Sequence, residues 1–121
     1  MLIRTLHDCP EIIAGDQTRL RELLHPDRDY PFDGRYSLAQ AVVNPGESSQ
    51  PHRLISSEVY FVLSGKGEMH IDEETTPIGS GDAVVIPPDA VQWVENRGEI
   101  PLVFLCIVDP RWRAEDETIL P

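Results

Sequence analysis

The chain has 121 residues, and none of its apolar stretches approaches the ~18 residues that cross a bilayer as a helix. Its opening segment, MLIRTLHDCPEIIAG, holds no apolar run long enough for a secretory leader. Cysteine is scarce: Cys9 and Cys106 lie far apart and neither sits in a CxxC pair, which reads as a reduced, cytoplasmic chain. Basic residues are also few. Ten Lys and Arg against 21 Asp and Glu leave a formal net charge of −11, which repels phosphate backbones and anionic membranes. Neither nucleic acid nor membrane is therefore expected as a partner. Room for long helices is missing too, because eleven prolines are spread along the chain.

What remains is a single domain by size, punctuated by turn residues. NPG (44–46), SGKG (64–67), DEE (72–74), GSGD (79–82), PPD (87–89), NRG (96–98) and DP (109–110) mostly fall roughly 8–12 residues apart, the turn spacing of a sandwich or barrel. Runs rich in Val, Ile, Tyr, Phe and Leu lie between them, predicting strands near 35–43, 58–63, 67–72, 75–78, 82–86, 91–95 and 101–108. TRLRELLHP (18–26) fits either a helical face or an alternating strand. Pro26 ends it, and a strand is preferred. The chain divides into an N-terminal segment (1–34) with an additional strand or short helix, a barrel (35–109) and a C-terminal tail (110–121) with an acidic surface stretch.

Chemistry concentrates in PHRLISSEVY (51–60). His52 and Glu58 are metal-ligating types, but an ion needs more than two protein ligands to stay in place. Strand phase gives further candidates. If Glu58 faces inward, Tyr60 and Val62 share that face. In VQWVEN, Gln92 shares a face with Val94 while Trp93 turns away. A polar residue on an inward face needs a partner, and His52, Glu58 and Gln92 are suited to be one another's partners or an ion's.

GESSQPHRLISSEVYFVLSG (46–65) resembles the first motif of the cupins, in which glycine, two histidines, glutamate and glycine recur at fixed spacing. Gly46, His52, Glu58 and Gly65 fall on that pattern, and Leu54 occupies the second histidine position. GDAVVIPPDAVQWVEN (81–96) resembles the second motif at Gly81, Pro87 and Asn96, with Asp89 in place of a glycine and Gln92 in place of the third histidine. The resemblance spans roughly residues 36–108. It implies an all-β fold, the double-stranded β-helix or jelly-roll barrel. It also implies a divalent metal such as Zn, Ni, Mn or Fe, held here by a reduced set of His52, Glu58 and Gln92. Leucine cannot coordinate, and an amide oxygen is a weaker ligand than imidazole.

The same resemblance implies a small-molecule ligand and a homodimer, with outward-pointing Trp93 suited to the subunit contact. Glu58 and Tyr60 are the candidate catalytic residues. Three activities are compatible with the set: a metal-dependent lyase, isomerase or decarboxylase acting on a small organic acid or sugar, a non-catalytic binding barrel, and a metal-free acid–base enzyme using Glu58. Of the other histidines, His25 reads as an exposed turn residue beside Pro26, with a lesser option of folding over the barrel mouth. His70 reads as an outward surface residue, and His7 is assigned nothing. Trp112 is read as an anchor for the tail, and Cys106 as a small core residue.

Overall fold

In the computed structural model, which describes residues 1–121, the chain forms eleven strands and two short 3-10 turns, Leu6–Asp8 and Ala114–Asp116. The strands are β1 (Glu11–Ile13), β2 (Arg19–Leu24), β3 (Ser37–Val43), β4 (His52–Leu54), β5 (Ser57–Ser64), β6 (Lys66–Ile71), β7 (Glu74–Gly79), β8 (Ala83–Ile86), β9 (Gln92–Glu95), β10 (Leu102–Asp109) and β11 (Glu117–Ile119). They build two antiparallel sheets, ordered β1-β2-β3-β10-β5-β8 and β11-β4-β9-β6-β7. This is the all-β cupin barrel.

Alternation sets which side chains meet between the sheets. Along β10, Leu102, Phe104, Cys106 and Val108 are buried while the residues between them are more exposed. Along β5, Glu58, Tyr60 and Val62 point inward, and Val59, Phe61 and Leu63 point out. The twelve-residue core joins Ala41, Val43, Tyr60, Val62, Ile86, Leu102, Phe104 and Cys106 of the first sheet to Met69, Ile78 and Val94 of the second, with Ala90 from a loop. Every member lies between residues 41 and 106.

The seven predicted strands correspond to β3 and β5–β10, and the ambiguous 18–26 segment is β2, a strand paired with β3. β1, β4 and β11 were not anticipated. Each has three residues, too few for alternation to show. The tail is more than a surface segment, because β11 pairs with β4, placing Glu117 opposite Leu54 and Ile119 opposite His52. Trp112 anchors it: its N–H donates to Ser37 Oγ at 3.0 Å.

The turn positions explain two motif residues. Gly65 has φ +82, and a Cβ there would lie 2.4 Å from the Pro101 carbonyl oxygen, so only glycine fits. Asp89, standing where the cupin pattern has glycine, keeps the left-handed conformation with φ +67, which aspartate tolerates better than most residues. Asn96 closes the second motif structurally. Its Nδ2 donates to the Val43 and Ile100 carbonyls, both at 2.9 Å, and its Oδ1 accepts from Gly98 N–H at 2.9 Å.

Candidate active site

The inward face of the barrel opens into a cavity of about 520 Å³ bordered by His52, Leu54, Glu58, Tyr60, Phe104 and Trp112, among others. Sheet register brings these residues together. β4 pairs with β9 so that His52 lies opposite Gln92, and β5 carries Glu58 and Tyr60 on one face. His52 is 3%, Leu54 3%, Glu58 7% and Gln92 1% exposed.

Gln92 is the hub of a closed hydrogen-bond relay. Tyr60 Oη donates to Gln92 Oε1 at 2.9 Å, and Gln92 Nε2 donates to Glu58 Oε1 at 2.9 Å. Both ends of the amide are thereby satisfied, as a group this deeply buried requires. Glu58 Oε2 makes no hydrogen bond to the protein. Burial pushes the Glu58 carboxyl up to about 8, reinforced by the Asp16 and Glu117 carboxylates and opposed by the bond from Gln92. Burial, then the neighbouring Glu58, holds the Tyr60 phenol well above its ordinary range. Cys106 is likewise pushed up by burial, which leaves its thiol unreactive as expected of a core residue.

His52 stands apart from the relay. Its Nδ1 lies 2.7 Å from the Gln50 carbonyl oxygen, so Nδ1 carries a proton, and in the neutral ring Nε2 is the acceptor. The nearest carboxylate to Nε2 is Asp16 Oδ2 at 3.8 Å. Asp16 and Glu117 are the two acidic residues the sequence reading missed. Asp16 sits in the turn between β1 and β2, where its Oδ1 accepts from Thr18 N–H at 3.1 Å and Thr18 Oγ1 at 2.8 Å. Glu117 enters from β11, its Oε2 accepting from Trp112 Nε1 at 3.3 Å. Burial pushes its carboxyl up, Asp16 adding to this while Trp112 and His52 oppose it. Asp16 had a faint signal in the Asp-x-Thr turn pattern. Glu117 had none, lying in the acidic run EDE.

The donor set was tested against the divalent ion that the cupin fold implies. Leu54 supplies no ligand atom, and Gln92 Oε1 is engaged by Tyr60. No three acidic or histidine side chains of the cavity bring ligand atoms within 4.8 Å of one another. As arranged, the interior does not fit one ion. A trio that does approach this closely, Glu68, His70 and Glu95, lies on the outer face of the second sheet and could hold a divalent ion. There His70 Nε2 is 2.9 Å from Glu95 Oε1 and 3.7 Å from Glu68 Oε1, and the ring stacks on Trp93 with centroids 4.3 Å apart. Arg97 pairs with both glutamates.

His25 corrects an expectation. It is not an exposed turn residue but 2% exposed. Its Nδ1 accepts from Asp27 N–H at 3.1 Å and its Nε2 meets the Trp112 carbonyl oxygen at 2.8 Å. Both nitrogens are spent tying the β2–β3 connection to the tail, so His25 does not join the cavity.

Comparison with known proteins agrees with this architecture. The chain is 37% identical to the uncharacterized protein MJ1618 of Methanocaldococcus jannaschii, over 98% of this chain and 95% of that protein. The crystal structure of a Cupin 2 conserved barrel domain protein from Salinispora arenicola superposes with a TM-score of 0.76 at 24% identity, over 95% of this chain and 91% of that one. Pac13 of Streptomyces, a nucleoside dehydratase whose variants have been solved with uridine, superposes with a TM-score of 0.77 at 19% identity, over 99% of this chain and 91% of that one. The sequence pattern of the Cupin_2 family, described as the cupin domain, matches residues 39–108, more than half of the chain, and the protein belongs to that family.

Proposed function

We propose that this protein is a metal-free acid–base enzyme of the lyase or isomerase type, acting on a small organic molecule inside the barrel. One observation carries the reading. Two groups with complementary proton inventories border one largely apolar cavity: a buried Glu58 carboxyl that keeps its proton near neutral pH, and a His52 imidazole whose Nε2 is free to accept one. Paired titratable groups pushed toward opposite roles by their surroundings are the usual basis of such chemistry. His52 Nε2 takes a proton from a carbon of the substrate. Glu58 Oε2 delivers one to a carbonyl or departing hydroxyl oxygen. Tyr60 positions the acid, because its bond to Gln92 fixes the amide that holds Glu58 Oε1. Pac13 shows that a dehydratase is built on this barrel.

A metal-dependent version using His52, Glu58 and Gln92 requires Gln92 to release Tyr60, and chelation separates the two. The protein, treated with EDTA and desalted, is incubated in D2O with a panel of small β-hydroxy carbonyl compounds and sugars, and proton NMR follows loss of C–H signal. The expected result is exchange or elimination that survives chelation and falls at least about 100-fold in Glu58→Gln and in His52→Ala. Activity that vanishes with chelation and returns with an added ion overturns the metal-free assignment. Ligand binding without conversion of any compound identifies a binding barrel instead.

We propose further that the protein works in a reducing compartment, where its two free cysteines stay reduced, and that it forms a homodimer. Trp93 is not the apolar surface for that contact, since His70 stacks on it beside Glu68 and Glu95. The outer face of the first sheet is. Val59, Phe61, Val85, Leu105 and Ile107 lie on neighbouring strands in register, and Phe61, Val85 and Ile107 are 39%, 69% and 39% exposed.

A further inference from the structure

The cavity wall around His52 carries hydrogen-bond acceptors that receive no donor from the protein. Asp16 uses only Oδ1, for Thr18. Its Oδ2 has no donor, and the nearest candidate, His52 Nε2, is 3.8 Å away and is itself an acceptor. Glu117 uses only Oε2, for Trp112. Its Oε1 lies against Gly15, where a Cβ would come within 2.8 Å of it, so the β1–β2 turn and β11 press these two carboxylates toward the same region. Burial pushes the Glu117 carboxyl up, the Trp112 bond and His52 offset part of this, and Asp16 adds to it, so a cationic ligand would relieve what remains.

Within the protein only the Trp112 N–H and His52 oppose that shift. Besides His52, the basic side chains bordering the cavity are Arg4 and Arg28, and both are engaged at its rim. Arg28 makes a two-pronged pair with Glu22 at 2.6 and 3.0 Å. Arg4 donates to the Leu23 carbonyl at 2.6 Å and lies 3.9 Å over the Tyr30 ring. An anionic ligand would meet two carboxylates and no unpaired arginine or lysine, inside a chain of net charge −11.

We infer that the cavity takes a small organic cation, a protonated amine whose N–H groups are received by the Asp16 and Glu117 carboxylates, beside the His52 Nε2 that serves as base. Tyr60, Phe104 and Trp112 accommodate its apolar body. A metal ion needs its ligands in one coordination sphere, and these three do not bring their atoms within 4.8 Å of one another. An amine on a carbon frame has no such requirement, since its donors point outward and its charge is felt at longer range. The inference rests on the assignment of this cavity as the site and narrows what enters it.

The test uses three probes of one shape: 2-phenylethylammonium, 2-phenylethanol and 3-phenylpropionate, titrated into the full-length protein at pH 7 and low salt and followed by amide NMR shifts. The ammonium is expected to bind at least tenfold more tightly than the alcohol, and the carboxylate most weakly. Asp16→Asn and Glu117→Gln, both near-isosteric, are each expected to weaken the ammonium about tenfold and leave the alcohol unchanged. A carboxylate that binds as tightly as the ammonium, or no ammonium binding at millimolar concentration, overturns the inference. Equal effects of the two variants on all three probes overturn it as well. The wild-type ranking decides the matter even if a variant fails to fold. The acid–base reading fails separately, through Glu58-independent exchange, so the two results are distinguishable.

Discussion

Replacing Glu58 with glutamine gives the sharpest test of the buried acid. Glutamine keeps the shape, and its carbonyl oxygen still accepts from Gln92 Nε2, as Glu58 Oε1 does at 2.9 Å. It removes a group whose folded pKa is about 8 against an ordinary 4.5. Below pH 4.5 folded and unfolded chains both hold the proton, and the buried acid imposes no pH-dependent cost. Between 4.5 and about 8 the unfolded chain has lost the proton while the folded chain keeps it, so folding takes up a proton and stability falls as pH rises. Above 8 the loss is complete. At about 1.4 kcal/mol per pH unit, the gap amounts to roughly 3 kcal/mol at pH 7 and roughly 5 kcal/mol above pH 8. Glu58→Gln is therefore expected to match the parent near pH 4.5 and to exceed it by amounts of this order at pH 7 and above. Urea denaturation of both proteins, at half-unit intervals from pH 4.5 to 9 with EDTA present, measures the difference directly. A difference that stays flat across that range, or a variant less stable than the parent at pH 8, refutes the reasoning. Glu58 would then be ionised and matched by a positive charge in the folded protein.

Tyr60→Phe removes the sole donor to buried Gln92 Oε1. A loss of about 1–3 kcal/mol is expected from chemical denaturation, together with a lower Glu58-dependent exchange rate. Leu54→His combined with Gln92→His restores the three histidines and one glutamate of the cupin pattern. Zinc, nickel or manganese, titrated after chelation, is expected to bind at least tenfold more tightly than to the parent, and a further His52→Ala is expected to reverse the gain; unchanged affinity in the double variant shows that the four positions do not converge. Phe61→Glu with Ile107→Lys places charges on the apolar outer face of the first sheet. Light scattering at micromolar concentration is expected to report twice the chain mass for the parent and the chain mass for this variant, and a monomeric parent rules out that contact.

Most of the barrel was legible because its long strands advertise themselves. β5 and β10 are eight residues each, enough for the inward Glu58, Tyr60 and Val62 or Leu102, Phe104 and Cys106 to show period two. The same phase argument placed Gln92 inward and Trp93 outward. β1, β4 and β11 escaped because three residues carry no period, and β4 was further obscured by its polar Arg53. At the site, His52 and Glu58 were readable from motif spacing, Leu54 from its place in the motif, and Tyr60 from strand phase. The Tyr60–Gln92–Glu58 relay was not, because which way an amide turns depends on neighbours 32 and 34 residues away in sequence. Asp16 and Glu117 were hidden for a related reason: nothing local distinguishes them from other acidic residues, and their position depends on pairings between distant strands. His25 misled for the opposite reason. A histidine before a proline reads as a turn, yet its burial is set by Trp112, 87 residues on.

The pairing of β11 with β4 separates two jobs within one small chain. All twelve core residues come from positions 41 to 106, whereas Asp16 and Glu117, which set the charge around His52, come from strands and turns outside that interval. On the inference above, the charge selectivity is written outside the interval that holds the core, while Tyr60 and Phe104 belong to both the core and the cavity wall. Substitutions at Asp16 and Glu117 are expected to change what the barrel admits while leaving the twelve core residues in place, and a library centred on those two positions is the economical route to new ligands for this scaffold. The reverse also holds: a chain trimmed through β11 would keep all twelve core residues and lose Glu117 together with the strand that pairs with β4.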